Sequence, residues 1–168
     1  MPRLILLSGP SGSGKSTYRD TLLDTLAVAA VVSSDDIIEE WAARDGLSYQ
    51  DAYVTYRHDV KDELLARLEK ALAEGCDVIW DQTNLTADIR RAAVELMPHQ
   101  YELVAIGFEA PLGLTLERVA ERQRETGKFI PEEVVRAQHA GYKRPHFDEG
   151  FDHVVVMHHP EGRAEIIS

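Results

Sequence analysis

Apolar residues fall along this chain in two alternating kinds of run: short unbroken blocks, and longer stretches where they recur every three or four positions. The blocks read as strands buried on both faces, and the wider spacing reads as one-sided helices. Leu4-Ile5-Leu6-Leu7 is the first block, followed by a glycine-rich stretch at 9–14 and a helix over about 15–26. Further blocks at 28–32, 76–80, 103–108 and 154–156 predict four more strands. A helix capped by Ser34 or Asp35 runs through Ile37, Ile38 and Trp41 to about Arg44. Ser48 and Asp51 open a long helix that ends near Gly75. Helices follow at 86–97, stopped by Pro98, at about 112–124, and from Pro131 to near Gly141. The alternation predicts a three-layer α/β fold, about five parallel strands with helices on both faces. Nothing resembling a linker or repeat divides 1–168, so one domain is expected.

Composition narrows the class. Of 168 residues, 44% are apolar and 28% charged, the balance of a soluble globular protein rather than a disordered, collagenous or disulfide-stapled one. A formal charge of −11 argues against coating duplex nucleic acid but leaves room for a local grip on a strand end. The lone Cys76 starts a strand as a small inert hydrophobe and fits a reducing cytoplasm. No early apolar run approaches the roughly 20 residues of a membrane span, and no signal-peptide pattern precedes it. A cytoplasmic protein without membrane or stable protein partners is expected.

Residues 9–16, Gly-Pro-Ser-Gly-Ser-Gly-Lys-Ser, fit G-x-x-x-x-G-K-[ST] in full, with Thr17 next, a buried strand before and a helix after. Gly9, Gly12 and Gly14 allow backbone conformations in which successive N–H groups surround phosphate oxygens, with Ser11 and Ser13 between them. The helix N-terminus adds partial positive charge. Lys15 supplies a cation for the outer phosphates, and the Ser16 hydroxyl a ligand for Mg²⁺. A nucleoside triphosphate, ATP or another, is the expected occupant.

Two acidic positions follow strands, where an open parallel sheet presents its ligand crevice. Asp35, after the second strand, can accept the proton of an attacking hydroxyl, with Asp36 as a helix cap or supporting residue; exchange of the two roles is the alternative. Asp81 ends the third strand and is expected to reach Mg²⁺ through water, with Gln82, Thr83 and Asn84 at the same crevice. Residues 115–144 carry a net +2 against −13 for the remainder. Arg118 and Arg122 share a helix face there, and 125–128 interrupts the helix as the hinge of a lid over about 118–136 would.

Taken together, the glycine-rich loop, Ser34-Asp35-Asp36, the Asp-Gln-Thr-Asn-Leu-Thr at 81–86 and the arginine-bearing lid resemble the polynucleotide 5′-hydroxyl kinase family. The endings Tyr142-Lys143-Arg144-Pro145 and Glu149-Gly150-Phe151 are similar too, so the resemblance spans about 3–157. It implies transfer of the γ-phosphate of Mg·ATP to the 5′-hydroxyl of DNA or RNA. Lys15 and Ser16 would hold phosphate and metal, Asp35 would be the general base, and Arg118 and Arg122 would lie on the phosphates. One departure stands out: three residues after the base the family commonly carries an arginine for the acceptor's phosphate, and here that residue is Ile38. Arg57, Arg90 or Arg91 could substitute. Otherwise the acceptor is another hydroxyl, on a hydroxymethylated base, a nucleoside or a small metabolite. A nucleotide-binding regulatory module without transferase activity is the reading from a different class.

Tyr49, Tyr53 and Tyr56 recur at helical spacing and read as groove wall or a base-stacking platform, and Trp41 as a packing residue at the acceptor pocket. Arg90 and Arg91 read as a solvated helix face, and His158-His159 as surface residues near the end of the last strand.

Overall fold

The computed structural model describes residues 1–167; Ser168, the last residue of the expected domain, lies outside them. Among the described residues six strands form one sheet: β1 (Arg3–Ser8), β2 (Ala29–Val32), β3 (Asp77–Asp81), β4 (Glu102–Glu109), β5 (His153–His158) and β6 (Arg163–Ile167). Their order is β2-β3-β1-β4-β5-β6, with β1 to β5 parallel as expected. β6 adds a sixth strand to the five expected, pairing antiparallel with β5 at the sheet edge. Its sequence, Arg-Ala-Glu-Ile-Ile, is short and interrupted by two charged residues, so no unbroken apolar block of strand length marks it.

The helices are α1 (Lys15–Thr25), α2 (Ser34–Asp45), α3 (Tyr49–Tyr56), α4 (Val60–Glu74), α5 (Ala87–Glu95), α6 (Leu112–Thr126) and α7 (Glu132–Gly141). Side chains of β1 alternate between two cores. Leu4 and Leu6 enter the larger, with Ile37 and Ile38 of α2 and the Val60, Leu64, Leu68 and Ala71 stripe of α4. Ile5 and Leu7 enter the smaller, beneath Tyr18 and Leu22 of α1. These are the two outer layers of the expected three.

The expected long helix from Ser48 is instead two, broken at 57–59. Residues 55–59, Thr-Tyr-Arg-His-Asp, hold four types of poor helix propensity, and the Asp59 amide turns back to the Tyr56 carbonyl. The continuous apolar spacing concealed that break. The cap of α2 also differs: it is Ser33, whose hydroxyl accepts from the Asp36 amide. Ser34 and Asp35 therefore sit inside the first turn, where their side chains are free for other partners.

Candidate active site

Strand register brings three chain segments to one edge. Leu7 lies opposite Asp81 and Val32 opposite Trp80, so the loop after β1, the start of α2 and the end of β3 emerge together. β1 is where the connections change direction across the sheet, the position at which open α/β sheets bind ligands.

The loop after β1 is tightly shaped. Gly12 and Gly14 hold φ of 79° and 106°, and a Cβ at Gly12 would stand 2.6 Å from the Thr115 carbonyl of α6. Ser11 donates its amide to Gln138 Oε1 of α7 at 2.9 Å, and the Ser13 amide reaches the Pro10 carbonyl. The first amides of α1 have no intrahelical acceptor. Ser16 and Thr17 are exposed at that helix start. Lys15 is buried, its Nζ donating to the Gly9 and Pro10 carbonyls at 2.7 and 2.9 Å. Burial pulls its pKa down to about 8 against the opposing pull of Asp81 and Asp35, and Arg122 pushes the same way as burial. The Ser13 Oγ and Arg122 Nε are buried without a hydrogen-bond partner. Unpaired donors beside two cations fit a phosphate chain. Ser16 and Asp81 supply hard oxygen donors of the kind Mg²⁺ takes when phosphates provide its other ligands.

Carboxylates gather beside the loop. Asp35 is half exposed; its Oδ1 accepts from the Tyr49 hydroxyl at 2.8 Å and its Oδ2 meets Lys128 Nζ at 2.7 Å. Partial burial opposes its ionisation, yet Lys128, Tyr49 and Arg122 together hold its carboxyl below the ordinary value. Lys128 also meets Glu39 at 3.0 Å and lies 4.4 Å from the centre of the Tyr49 ring. Asp36 and Asp81 share the Arg19 guanidinium of α1, each at 3.0 Å. Burial nevertheless raises the Asp81 carboxyl, Lys15 and Arg19 opposing it.

On the far side of the glycine-rich loop a cavity of about 390 Å³ is lined by Pro10, Phe108, His139, Tyr142 and His159. His159 stacks on Phe108 and lies over Gly14, where a Cβ would come within 3.0 Å of its Nε2. His158 is half-buried and pairs with Glu109 and Glu165. β6 covers it, which corrects its expected place near the end of the last strand.

The sequence-predicted residues divide. Lys15, Asp35, Arg122 and Asp81 converge closely enough to act on one another's charge. Arg118 reaches across the loop toward the Gly12 carbonyl. Tyr53 on α3 and Arg57 just past its end are exposed, while Trp41 packs edge-to-face on Tyr56 beneath Arg44. The Thr83 carbonyl accepts from the Gly9 amide. Asn84 is buried, its amide donating to the Leu7 carbonyl, and it serves the scaffold. Arg90 is fully buried against Glu149 and is not the solvated or acceptor-facing residue expected; only Arg91, paired with Asp88, is exposed. Sequence reading assigned no role to Arg19, Glu39 or Lys128. For Arg19 a signal existed, one helical turn beyond Lys15.

Comparison with known proteins gives the family and the fold. A family profile described as an AAA domain matches residues 4–145. A cytidylate kinase of Halobacterium salinarum is 31% identical over 124 residues, covering 73% of this chain and 60% of that protein. A structure of the Pnkp1/Rnl/Hen1 RNA repair complex superposes with a TM-score of 0.69 at 24% identity, over 83% of this chain and 43% of that one. A gluconokinase from Sinorhizobium meliloti 1021 superposes with 0.57 at 21% identity, over 94% and 82%. At those identities the two structures establish the fold. The chain spans about 60% of the length of the cytidylate kinases it matches.

Proposed function

The chain belongs to the AAA-domain family, and from that premise we propose that it transfers the γ-phosphoryl group of ATP, or another nucleoside triphosphate, to an alcohol. The observation that carries the reading is the convergence of buried Lys15, at the start of α1, with Asp35 and Arg122, near enough to act on one another's charge. The glycine-rich loop, Lys15 and Ser13 receive the phosphates, and Arg118 and Arg122 close over them from α6. The cavity by Phe108 and His159 is large enough for the donor base. Asp35 orients the acceptor hydroxyl and takes its proton as the new O–P bond forms and the bond to the β-phosphate oxygen breaks. Ser16, and Asp81 through water, would hold Mg²⁺, which neutralises charge on the phosphates. Residues 118–136 are the moving lid of one domain.

For the acceptor we propose the 5′-hydroxyl of a DNA or RNA strand. Exposed Tyr53 on α3 offers a face for a base, exposed Arg57 just past α3 and Lys128 beside Asp35 are cations available to strand phosphates, and the RNA repair complex shares the fold. A small hydroxyl compound is the second reading, favoured by buried Ile38 and by the acidic Asp35 and Glu39 at the entrance. Incubation with labelled ATP and a panel of oligonucleotides, nucleosides and sugars separates them. Oligonucleotide phosphorylation is expected, with an acceptor KM that weakens by about tenfold between about 50 and 200 mM salt, as neutralising two or three phosphates would give. A salt-insensitive nucleoside or sugar product overturns the strand reading, and no labelled product overturns transfer itself.

Donor binding carries its own pH signature. With Lys15 lowered to about 8, its charge is present below that pH and lost above it. Affinity for a non-hydrolysable ATP analogue is therefore expected to fall above about pH 8 by calorimetry. Lys15→Met should weaken binding and abolish that limb; an unchanged alkaline limb would assign it elsewhere.

A further inference from the structure

Lys128 is the most enclosed cation on the acceptor side, with a side chain 6% exposed between two carboxylates that are each 55% exposed. It lies on the linker between α6 and α7, just past Gly127, whose φ of 75° turns the chain back toward α2. The linker is tied down a second time by Gln50 Nε2 of α3, which donates to the Phe129 carbonyl at 2.5 Å. An aspartate in the first turn of a helix, half open to water, ordinarily samples several rotamers. Asp35 is gripped at both oxygens by groups from two other elements. Two hydrogen bonds still leave lone pairs on the carboxylate for a third donor, an acceptor hydroxyl. Arg122 of α6 stands within charge range of the same carboxylate.

We propose that Lys128 is a positioning residue that couples lid to base: its ammonium fixes the Asp35 carboxylate and, through the same ion pair, seats the linker on α2, so that Arg122 and Asp35 come into place together. This rests on Asp35 being the base. Opening the lid would break the pair and release the carboxylate, so transfer from a half-closed site is suppressed. The groups facing Asp35 are Lys128 on the linker, Tyr49 on α3, Arg122 on α6, Lys15 on α1, Asp81 on β3, and Glu39 on its own helix. Of the cations, Lys128 is in direct contact.

The test uses the full chain without nucleotide: carboxyl ¹³C titration of Asp35, and amide hydrogen exchange over 127–131. In Lys128→Met the Asp35 midpoint should rise by about one pH unit, because an adjacent cation favours the charged form. Linker exchange should quicken by about tenfold, and Lys128→Arg should restore both. Asp35→Asn, at an exposed position that tolerates change, should quicken the same amides and thus reads the coupling from the other end. With ATP and acceptor, the acid limb of kcat should move up with the Asp35 midpoint while the KM for ATP stays constant. An unmoved Asp35 midpoint, or unaltered linker exchange in both variants, overturns the proposal. Wild-type protein that phosphorylates nothing while both shifts occur would defeat the functional reading and uphold the coupling.

Discussion

Arg122→Ala is expected to lower kcat for phosphoryl transfer by about three orders of magnitude or more, with the melting temperature unchanged. Charge spreads over the equatorial oxygens of the group in flight, and an arginine held against them stabilises that state more than the ground state. Arg122 is pre-placed for this: its Nε is buried without a partner, and its charge bears on both Lys15 and Asp35. The fold gains little from it, since a guanidinium beside buried Lys15 is repelled while no anion is bound. Steady-state kinetics at saturating ATP, beside thermal unfolding, checks both halves. Arg122→Lys should recover only part of the rate, because an ammonium cannot reproduce the planar fork. A kcat within tenfold of wild type would remove Arg122 from the transferring group.

The largest effect on stability is expected from Arg90→Met, a loss of about 3–5 kcal/mol in denaturant unfolding. Arg90 is completely buried and grips Glu149 through two bonds of 2.7 Å. Its remaining donors reach the Asn84 and Lys143 carbonyls at 2.9 Å and, more loosely, Ser8 Oγ and the Arg144 carbonyl. Truncation would leave the buried Glu149 carboxylate without its counter-charge and the Lys143 carbonyl without a donor, while the Asn84 carbonyl keeps the Ser8 hydroxyl. Because one side chain ties the end of β1 to the segment before β5, the glycine-rich loop should also lose nucleotide affinity. Adding Glu149→Leu should recover part of the loss; a strictly additive double variant would show that the pair does not act as a unit.

What could be read from the chain divides along physical lines. Strands β1 to β5 announced themselves because both faces are covered, and the glycine-rich loop because its backbone conformations exclude most side chains. Asp35 and Asp81 were legible by position, following strands of a parallel sheet. Lys128 and Arg90 were not: their partners lie 93 and 59 positions away in the chain, and a charged residue on a helix or linker reads as solvated until the fold encloses it. Arg90 illustrates the failure well, since the same Arg-Arg pair holds one buried guanidinium and one exposed one. The hidden break at 57–59 shows the converse, an apolar period that ran on through a stretch too poor in helix formers to stay helical.

Lys15, Asp35 and Asp81 follow the neighbouring strands β1, β2 and β3, whereas on the proposed reading an acceptor would meet α3 and the linker after α6. The reactive floor is therefore rigid and the selecting rim is modular. Exchanging residues 53–57 for other sequences, with Tyr49 and Lys128 kept, should retune which alcohol is chosen without disturbing the machinery beneath.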